Sequence, residues 1–280
     1  MARKRIAKDI WKRFRIAPGT PSKLSERDPG DLMLFPERDD AEKQSVKDGE
    51  IIDTLQDRLN AEGKRALLVV LQGIDTAGKD GTIRHVFKET SPLGVVVKPF
   101  RKPSEVEAAH DFLWRIEKHV PDAGFIGVFD RSHYEDVLIG RVRSLAPPEE
   151  IERRYGAIVD FEKRLTDRGV RIVKVMLHIS PDEQKSRLME RLERPDKHWK
   201  YNPGDVDERQ LWPAYMDAYQ AVFERTSTPN APWYVVPANA KWYARIAVQA
   251  LLLDALEDID PQWPAADYDV EAEKRRLAAT

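Results

Sequence analysis

The sequence contains no cysteine among its 280 residues. Disulfides, zinc–thiolate centres and thiol nucleophiles are therefore excluded, and a reducing compartment is the expected setting. Nor does any apolar run approach the roughly 20 residues that a membrane span requires, so no membrane partner is expected. The start of the chain is basic, with seven Lys/Arg between Met1 and Arg15, but it lacks the apolar block of a secretory signal. A cytoplasmic protein is the expectation. An excess of either charge is missing too: 46 Lys+Arg face 48 Asp+Glu, a net charge of −2, although 34% of the chain is charged. That balance argues against a nucleic-acid partner, which is usually met by a strong basic surplus, and any anion site must arise from local clustering. Hydrophobic residues make up 41%, enough for one sizeable core, which excludes disorder as the state of the whole chain.

Residues 1–40 are polar and interrupted by Pro18, Pro21, Pro29 and Pro36, the pattern of an extended arm lying over a domain. In residues 41–63, Val46, Ile51, Ile52, Leu55 and Leu59 recur at helical spacing and Gly63 closes the segment, which predicts an amphipathic helix. Short, nearly continuous apolar runs at 66–71, 95–100, 125–129, 170–179 and 233–237 have the character of strands buried on both faces. Helical patterns separate or follow them at 79–90, 104–119, 132–145, 148–168, 181–194, 206–225 and 241–258. This alternation predicts an α/β fold, a five-stranded parallel sheet between helices. Ser180, Pro181 and Glu183 mark one helix start in detail, as N-cap, first and third helical residues. No repeat and no linker calls for a second domain. The expected division is an arm over 1–40, a domain over 41–260 and a tail over 261–280.

The first strand runs directly into Gly73-Ile-Asp75-Thr-Ala77-Gly78-Lys79-Asp80-Gly81-Thr82 and then into a helix. This is G-x-x-x-x-G-K in a strand–loop–helix setting, where backbone N–H groups and the helix N-terminus cradle a phosphate and Lys79 reaches the outer phosphates. Asp80 follows Lys79 in place of the usual Ser or Thr, and Asp75 puts a carboxylate inside the loop. Two like charges about 4 Å apart repel by roughly 4 kcal/mol at an effective dielectric of 20, so such an acid needs a cation between it and the phosphate, or must point away. Asp75 therefore reads as a metal ligand, as a base orienting an attacking phosphate, or as an Asx-type cap of the loop. Asp80 reads as an acid favouring the helix dipole or as a second phosphate-site residue.

The third strand ends in Phe129-Asp130-Arg131-Ser132-His133-Tyr134-Glu135-Asp136. An Asp at the carboxyl end of a strand beside the phosphate loop is placed to hold Mg²⁺. Ser132 and Glu135 have capping-box spacing, so helix initiation accounts for them as well as a site role does. His133 has no partner at metal-ligand spacing and is expected to serve packing or hydrogen bonding. After the fourth strand, Arg187, Arg191 and Arg194 share a helix face, followed by Lys197, His198 and Lys200. These residues suit either a solvated face or a mobile lid over about 181–210 that brings arginines to a transferring phosphate. Lys98, Arg101 and Lys102 form a second basic knot at a strand end. The cations exceed what one mononucleotide needs, and a long polyanion would explain the surplus.

The stretches 73–83, 129–137, 190–200 and 231–239 together resemble polyphosphate kinase family 2, and the resemblance spans about residues 40–260. It implies a thymidylate-kinase-like P-loop kinase fold and reversible, Mg²⁺-dependent phosphoryl transfer, with Mn²⁺ as the other eligible ion, between inorganic polyphosphate and a nucleoside mono-, di- or triphosphate. On the matching positions, the resemblance assigns catalysis to Asp75, Lys79, Asp130 and Arg131. It assigns phosphate binding to Gly73, Ala77, Gly78, Asp80, Gly81, Thr82 and Lys98 and to the lid residues Arg191, Arg194, Lys197 and Lys200. Nucleotide binding falls to Arg131 and Glu135, and metal binding to Asp75, Asp130 and Asp136. His133-Tyr-Glu-Asp136 is similar to the branch that accepts both AMP and ADP. The resemblance also implies a homo-oligomer, dimer or tetramer. The rival readings are an ATP-dependent nucleoside monophosphate kinase and a P-loop protein that binds nucleotide or polyphosphate without transfer.

Overall fold

A computed structural model describes residues 12–19, 22–35 and 37–280; residues 1–11, 20, 21 and 36, and with them part of the expected arm, lie outside it. Five strands, β1 (Ala66–Gln72), β2 (Val95–Pro99), β3 (Ile126–Asp130), β4 (Val170–His178) and β5 (Trp233–Pro237), form one all-parallel sheet in the order β2-β3-β1-β4-β5. Helices of eight residues or more are α1 (Arg38–Glu62), α2 (Lys79–Val86), α3 (Pro148–Asp167), α4 (Pro181–Glu193), α5 (Trp212–Thr226), α6 (Lys241–Ile259) and α7 (Val270–Ala278).

Strand β1 explains the layering. Its seven residues are all buried, and successive side chains point to opposite faces. Leu67, Val69 and Leu71 join one core with α1, α2 and α6 residues such as Ile52, Val86 and Leu252. Ala66, Leu68 and Val70 join the other, with Tyr155 and Phe161 of α3 and Phe223 of α5. This is the α/β architecture that the alternating pattern predicts. Within the second core lies a buried polar cluster: Lys174 donates to Glu162 Oε2 at 2.6 Å, to Tyr134 Oη at 2.9 Å and to Thr226 O at 2.8 Å. His133 Nε2 lies 3.4 Å from Glu162 Oε1, so its role is hydrogen bonding inside the core, as its isolation in the sequence suggests.

Several helical patterns prove shorter than their periodicity. The 104–119 stretch forms two single turns, Glu105–Ala108 and Trp114–Glu117, because Asp111 Oδ1 accepts from Leu113 N and starts the second turn afresh. Residues 132–145 hold only a 3₁₀ turn, His133–Asp136, and the turn Ile139–Val142. The 206–225 pattern breaks at Leu211, since Pro213 fits the first turn of α5 and cannot continue the helix Gly204–Gln210. Ser180 Oγ accepts from Glu183 N at 3.2 Å, as its cap signature predicts.

From the described N-terminal residues, Phe14, Ile16, Leu24 and Phe35 bury their side chains, and Ile16 N donates to Trp233 O at 2.8 Å along the edge of β5. Among the described residues, no helix is long and apolar enough to cross a membrane.

Candidate active site

The loop between β1 and α2 opens at the carboxyl edge of the sheet, where Leu71 is in register with Asp130 of β3. Its first glycine has no room for a side chain: a Cβ on Gly73 would lie 2.8 Å from Ala77 Cβ and 3.0 Å from Leu177 O. Gly78, at φ 105, turns the chain into α2 in a left-handed conformation that suits glycine. Thr76 adopts φ 65, which is strained for a β-branched residue, and Arg187 holds it there. The buried Arg187 guanidinium donates to Thr76 O at 2.8 Å, Ala77 O at 3.0 Å, Ala238 O at 2.6 Å and Asn239 O at 2.9 Å, tying the loop to the end of β5. Arg187 is thus a strut. The shared helix face of Arg187, Arg191 and Arg194 does not make one row of anion contacts.

Around this loop lies a cavity of about 640 Å³. Asp75, Ala77, Gly78, Lys79, Asp80, Gly81, Thr82, Asp130, Arg131, Arg191, Lys197 and Lys200 line it, and Gly73 backs the loop. Lys79 is 8% exposed and donates to Gly73 O at 2.8 Å. Burial lowers its pKa and the Arg131 charge adds to that, while Asp130, Glu135 and Asp75 oppose it. Asp130 is pushed up by burial, against the pull of Lys79, and its buried Oδ1 has no hydrogen-bond partner.

The acids inside the loop face cations that follow β4. Asp75 Oδ2 accepts from Arg191 Nη1 at 2.9 Å, and the same nitrogen reaches Asp205 Oδ2 at 3.4 Å and Lys200 O at 3.0 Å. Lys200 Nζ pairs with Asp80 Oδ2 at 3.1 Å. Burial alone would raise the pKa of Asp80, but the Lys200 hydrogen bond and charge outweigh it and hold the group low. Asp205, which the sequence motifs do not single out, is raised by burial and by the neighbouring Asp75.

Besides Gly73, four expected site residues stand outside the cavity lining. Lys98 has its Nζ 5.9 Å from the Phe100 ring, and from the same basic knot Arg101 lines the cavity instead. Arg194 is taken by Glu190 at 3.1 Å and Asp196 at 3.0 Å. Glu135 accepts from Gln72 Nε2 at 3.2 Å, behind Lys79; Ser132 caps Tyr134 N, so the expected capping box does not form. The Asp136 carboxylate is engaged by Arg154 at 3.3 Å and Arg115 at 3.9 Å, and burial, partly offset by those arginines, pushes its pKa up to about 6. Among the described residues, no three His, Cys, Asp or Glu side chains cluster as a ready metal site.

Two cations reach the cavity from a helix where no motif pointed. Lys241 and Arg245 of α6 line it, and Trp199, 77% exposed, stands at its mouth. Their signal in the sequence is faint: they are the only basic residues of the helix, four positions apart in its first half. Taken together, nine Lys/Arg and four Asp/Glu line the cavity, an excess of positive charge in a chain of net charge −2.

An AMP/ADP-polyphosphate phosphotransferase of Meiothermus ruber is 44% identical over 90% of this chain and 95% of its own length. An ADP-polyphosphate phosphotransferase of Rhodopseudomonas palustris is 42% identical over 77% of this chain and 78% of its own. The crystal structure of polyphosphate kinase 2 from Arthrobacter aurescens superposes with a TM-score of 0.93 at 51% identity, over 97% of both chains. The family model of polyphosphate kinase 2 (PPK2) matches residues 36–264, and with the phosphate loop and the strand-end aspartate at one cavity, this chain belongs to that family.

Proposed function

We propose that the protein transfers a phosphoryl group reversibly between inorganic polyphosphate and a nucleoside mono- or diphosphate. The observation that carries this reading is the unpaired positive charge beside the phosphate loop. Among the described residues, the guanidiniums of Arg101 and Arg131 line the cavity with no side-chain hydrogen bond or ion pair, and the charge of Asp130 alone acts on both from the end of β3. The Meiothermus ruber relative, named for both AMP and ADP, supports acceptance of both. An ATP-dependent monophosphate kinase would not call for so many cations, and a passive binder would not call for a buried lysine at a strand-end carboxylate.

Catalysis in this reading is positioning and charge neutralisation, with no covalent enzyme intermediate. Lys79, fixed by Gly73 O, meets the phosphate being transferred. Arg131 and Arg101 hold the acceptor phosphate in line with it, and Arg187 keeps the loop rigid. Arg191, Lys197 and Lys200 close over the polyanion as the lid. Glu135 acts from behind Lys79 rather than on the nucleotide.

The orphaned Oδ1 of Asp130 suits a hard divalent cation, since buried carboxylate oxygens otherwise find partners. We assign Mg²⁺, or Mn²⁺, to Asp130, with Asp75 of the same cavity as a second donor when Arg191 turns to phosphate, and not to Asp136, which lies outside the cavity lining and is held by Arg154 and Arg115. When bound, the cation would offset phosphate charge next to the loop's own acids.

A cytoplasmic location and a homo-oligomeric state belong to the same proposal; cell fractionation and sedimentation test them. The decisive assay is incubation of the purified protein with AMP or ADP, Mg²⁺ and polyphosphate in the absence of ATP. Formation of ADP or ATP is expected; none forming would overturn the assignment.

A further inference from the structure

Arg245 is a cation with a place but no protein partner. It sits on α6, which packs against α2, and its Nη2 lies 3.0 Å from where a Cβ of Gly81 would be, over the first turn of α2. Gly81 thus lets the guanidinium lie close against the helix that begins at the phosphate loop. Among the described residues, no carboxylate and no hydrogen-bond acceptor engages Arg245. Its neighbour His85 is no counter-ion, since an imidazole carries no negative charge, and burial and the Arg245 charge lower its pKa. Lys241, one helical turn earlier, meets only Glu190 Oε2 at 3.3 Å, a half-exposed pair that contributes little. A partly buried cation without a partner, beside Lys79 and lid cations of the same sign, is electrostatically unfavourable unless an anion occupies the space.

Resting on the transfer reading above, we propose that Arg245, with Lys241, forms a distal subsite for phosphates of a polyphosphate chain beyond the one transferred. The cavity runs from the ends of β2 and β3, across the phosphate loop, to α6. A chain whose reacting phosphate lies at Lys79 would pass the first turn of α2 and meet Arg245 next. The subsite therefore senses the length of the donor and leaves the acceptor nucleotide untouched.

The test compares wild type with Arg245→Gln and Arg245→Lys, using long-chain polyphosphate and tripolyphosphate as donors and ADP as acceptor. Loss of a charge-assisted contact predicts a KM for long chains about tenfold higher in Arg245→Gln, well beyond any rise for tripolyphosphate, with kcat and the KM for ADP nearly unmoved. Arg245→Lys should recover most of that difference. Calorimetric titration of long-chain polyphosphate without nucleotide should give a matching loss of affinity for Arg245→Gln. An equal rise for both donors, or a rise in the KM for ADP, overturns the subsite. Failure of the wild type to use polyphosphate at all overturns the transfer reading instead, and retained wild-type-like affinity of Arg245→Gln in the titration would then also remove the subsite.

Discussion

Lys79 is the only side chain of the phosphate loop that is both cationic and buried, and its ammonium is kept in place by a carbonyl of the loop itself. Burial and the Arg131 charge weaken its hold on a proton, Asp130, Glu135 and Asp75 offset part of this, and the group sits where phosphate charge develops. Lys79→Ala and Asp75→Asn are each expected to lower turnover by at least about two orders of magnitude, measured as ATP formed from ADP and polyphosphate. Full activity in both would place the chemistry elsewhere. His178, at the end of β4, tests a different residue-scale property. It is buried, its Nδ1 lacks a partner, and burial lowers its pKa to about 4, with Arg27 backbone and Asp28 only partly offsetting this. A histidine depressed in the folded state stabilises fully above its unfolded pKa near 6.5 and loses that contribution as pH falls towards 4, about 3 kcal/mol in all. Urea unfolding at pH 7.5 and pH 4.5 should show a smaller acid loss for His178→Gln than for wild type; equal losses would exonerate His178. Residues of the loop were legible in the sequence because their roles depend on spacing along one strand–loop–helix unit. Arg187 was not, since spacing assigns a helix face but not the carbonyls of Thr76 and Ala238 that meet it there.

At the scale of elements, α4 and the 3₁₀ turn Pro195–Lys200 rest on the phosphate loop through the loop's own acids. Asp75 holds Arg191, and Asp80 holds Lys200, so the carboxylates that looked out of place beside phosphates pair with the cations that follow β4. An incoming polyanion competes with them. Asp80 and Lys200 form a pair exposed enough to be worth less than about 1 kcal/mol, so Asp80→Asn should bind long-chain polyphosphate about two- to fivefold more tightly by calorimetric titration. Weaker binding would instead give Asp80 a direct part in holding phosphate or cation. The strands were legible to within one or two residues because continuous apolar runs leave few other readings. Helices at 104–119 and 132–145 were overread: their apolar spacing persists through turns whose backbone is recapped by Asp111 or Ser132, and periodicity does not register a cap that restarts a turn.

For the whole molecule, near-zero net charge conceals a strong local field. Nine Lys/Arg against four Asp/Glu surround the cavity, while the chain as a whole carries −2, so acids outnumber cations elsewhere. Local clustering at 98–102 and 185–200 was visible in the sequence; the α6 contribution was not, because Lys241 and Arg245 lie far along the chain and reach the loop only through the packing of α6 on α2. This arrangement makes the two substrates respond differently to salt. A long polyphosphate interacts with the cavity through many partly exposed charges, each screened as the Debye length shrinks from about 10 Å at 0.1 M to about 3 Å at 1 M salt. A nucleoside diphosphate carries fewer charges to offer such contacts, and its base and ribose are uncharged. Raising salt from about 0.05 M to about 0.5 M should therefore raise the KM for long-chain polyphosphate at least about tenfold and that for ADP by less than about threefold. Parallel responses of the two constants would mean that the cavity's positive excess does not engage the chain, and that the extra cations serve the lid's internal pairs alone.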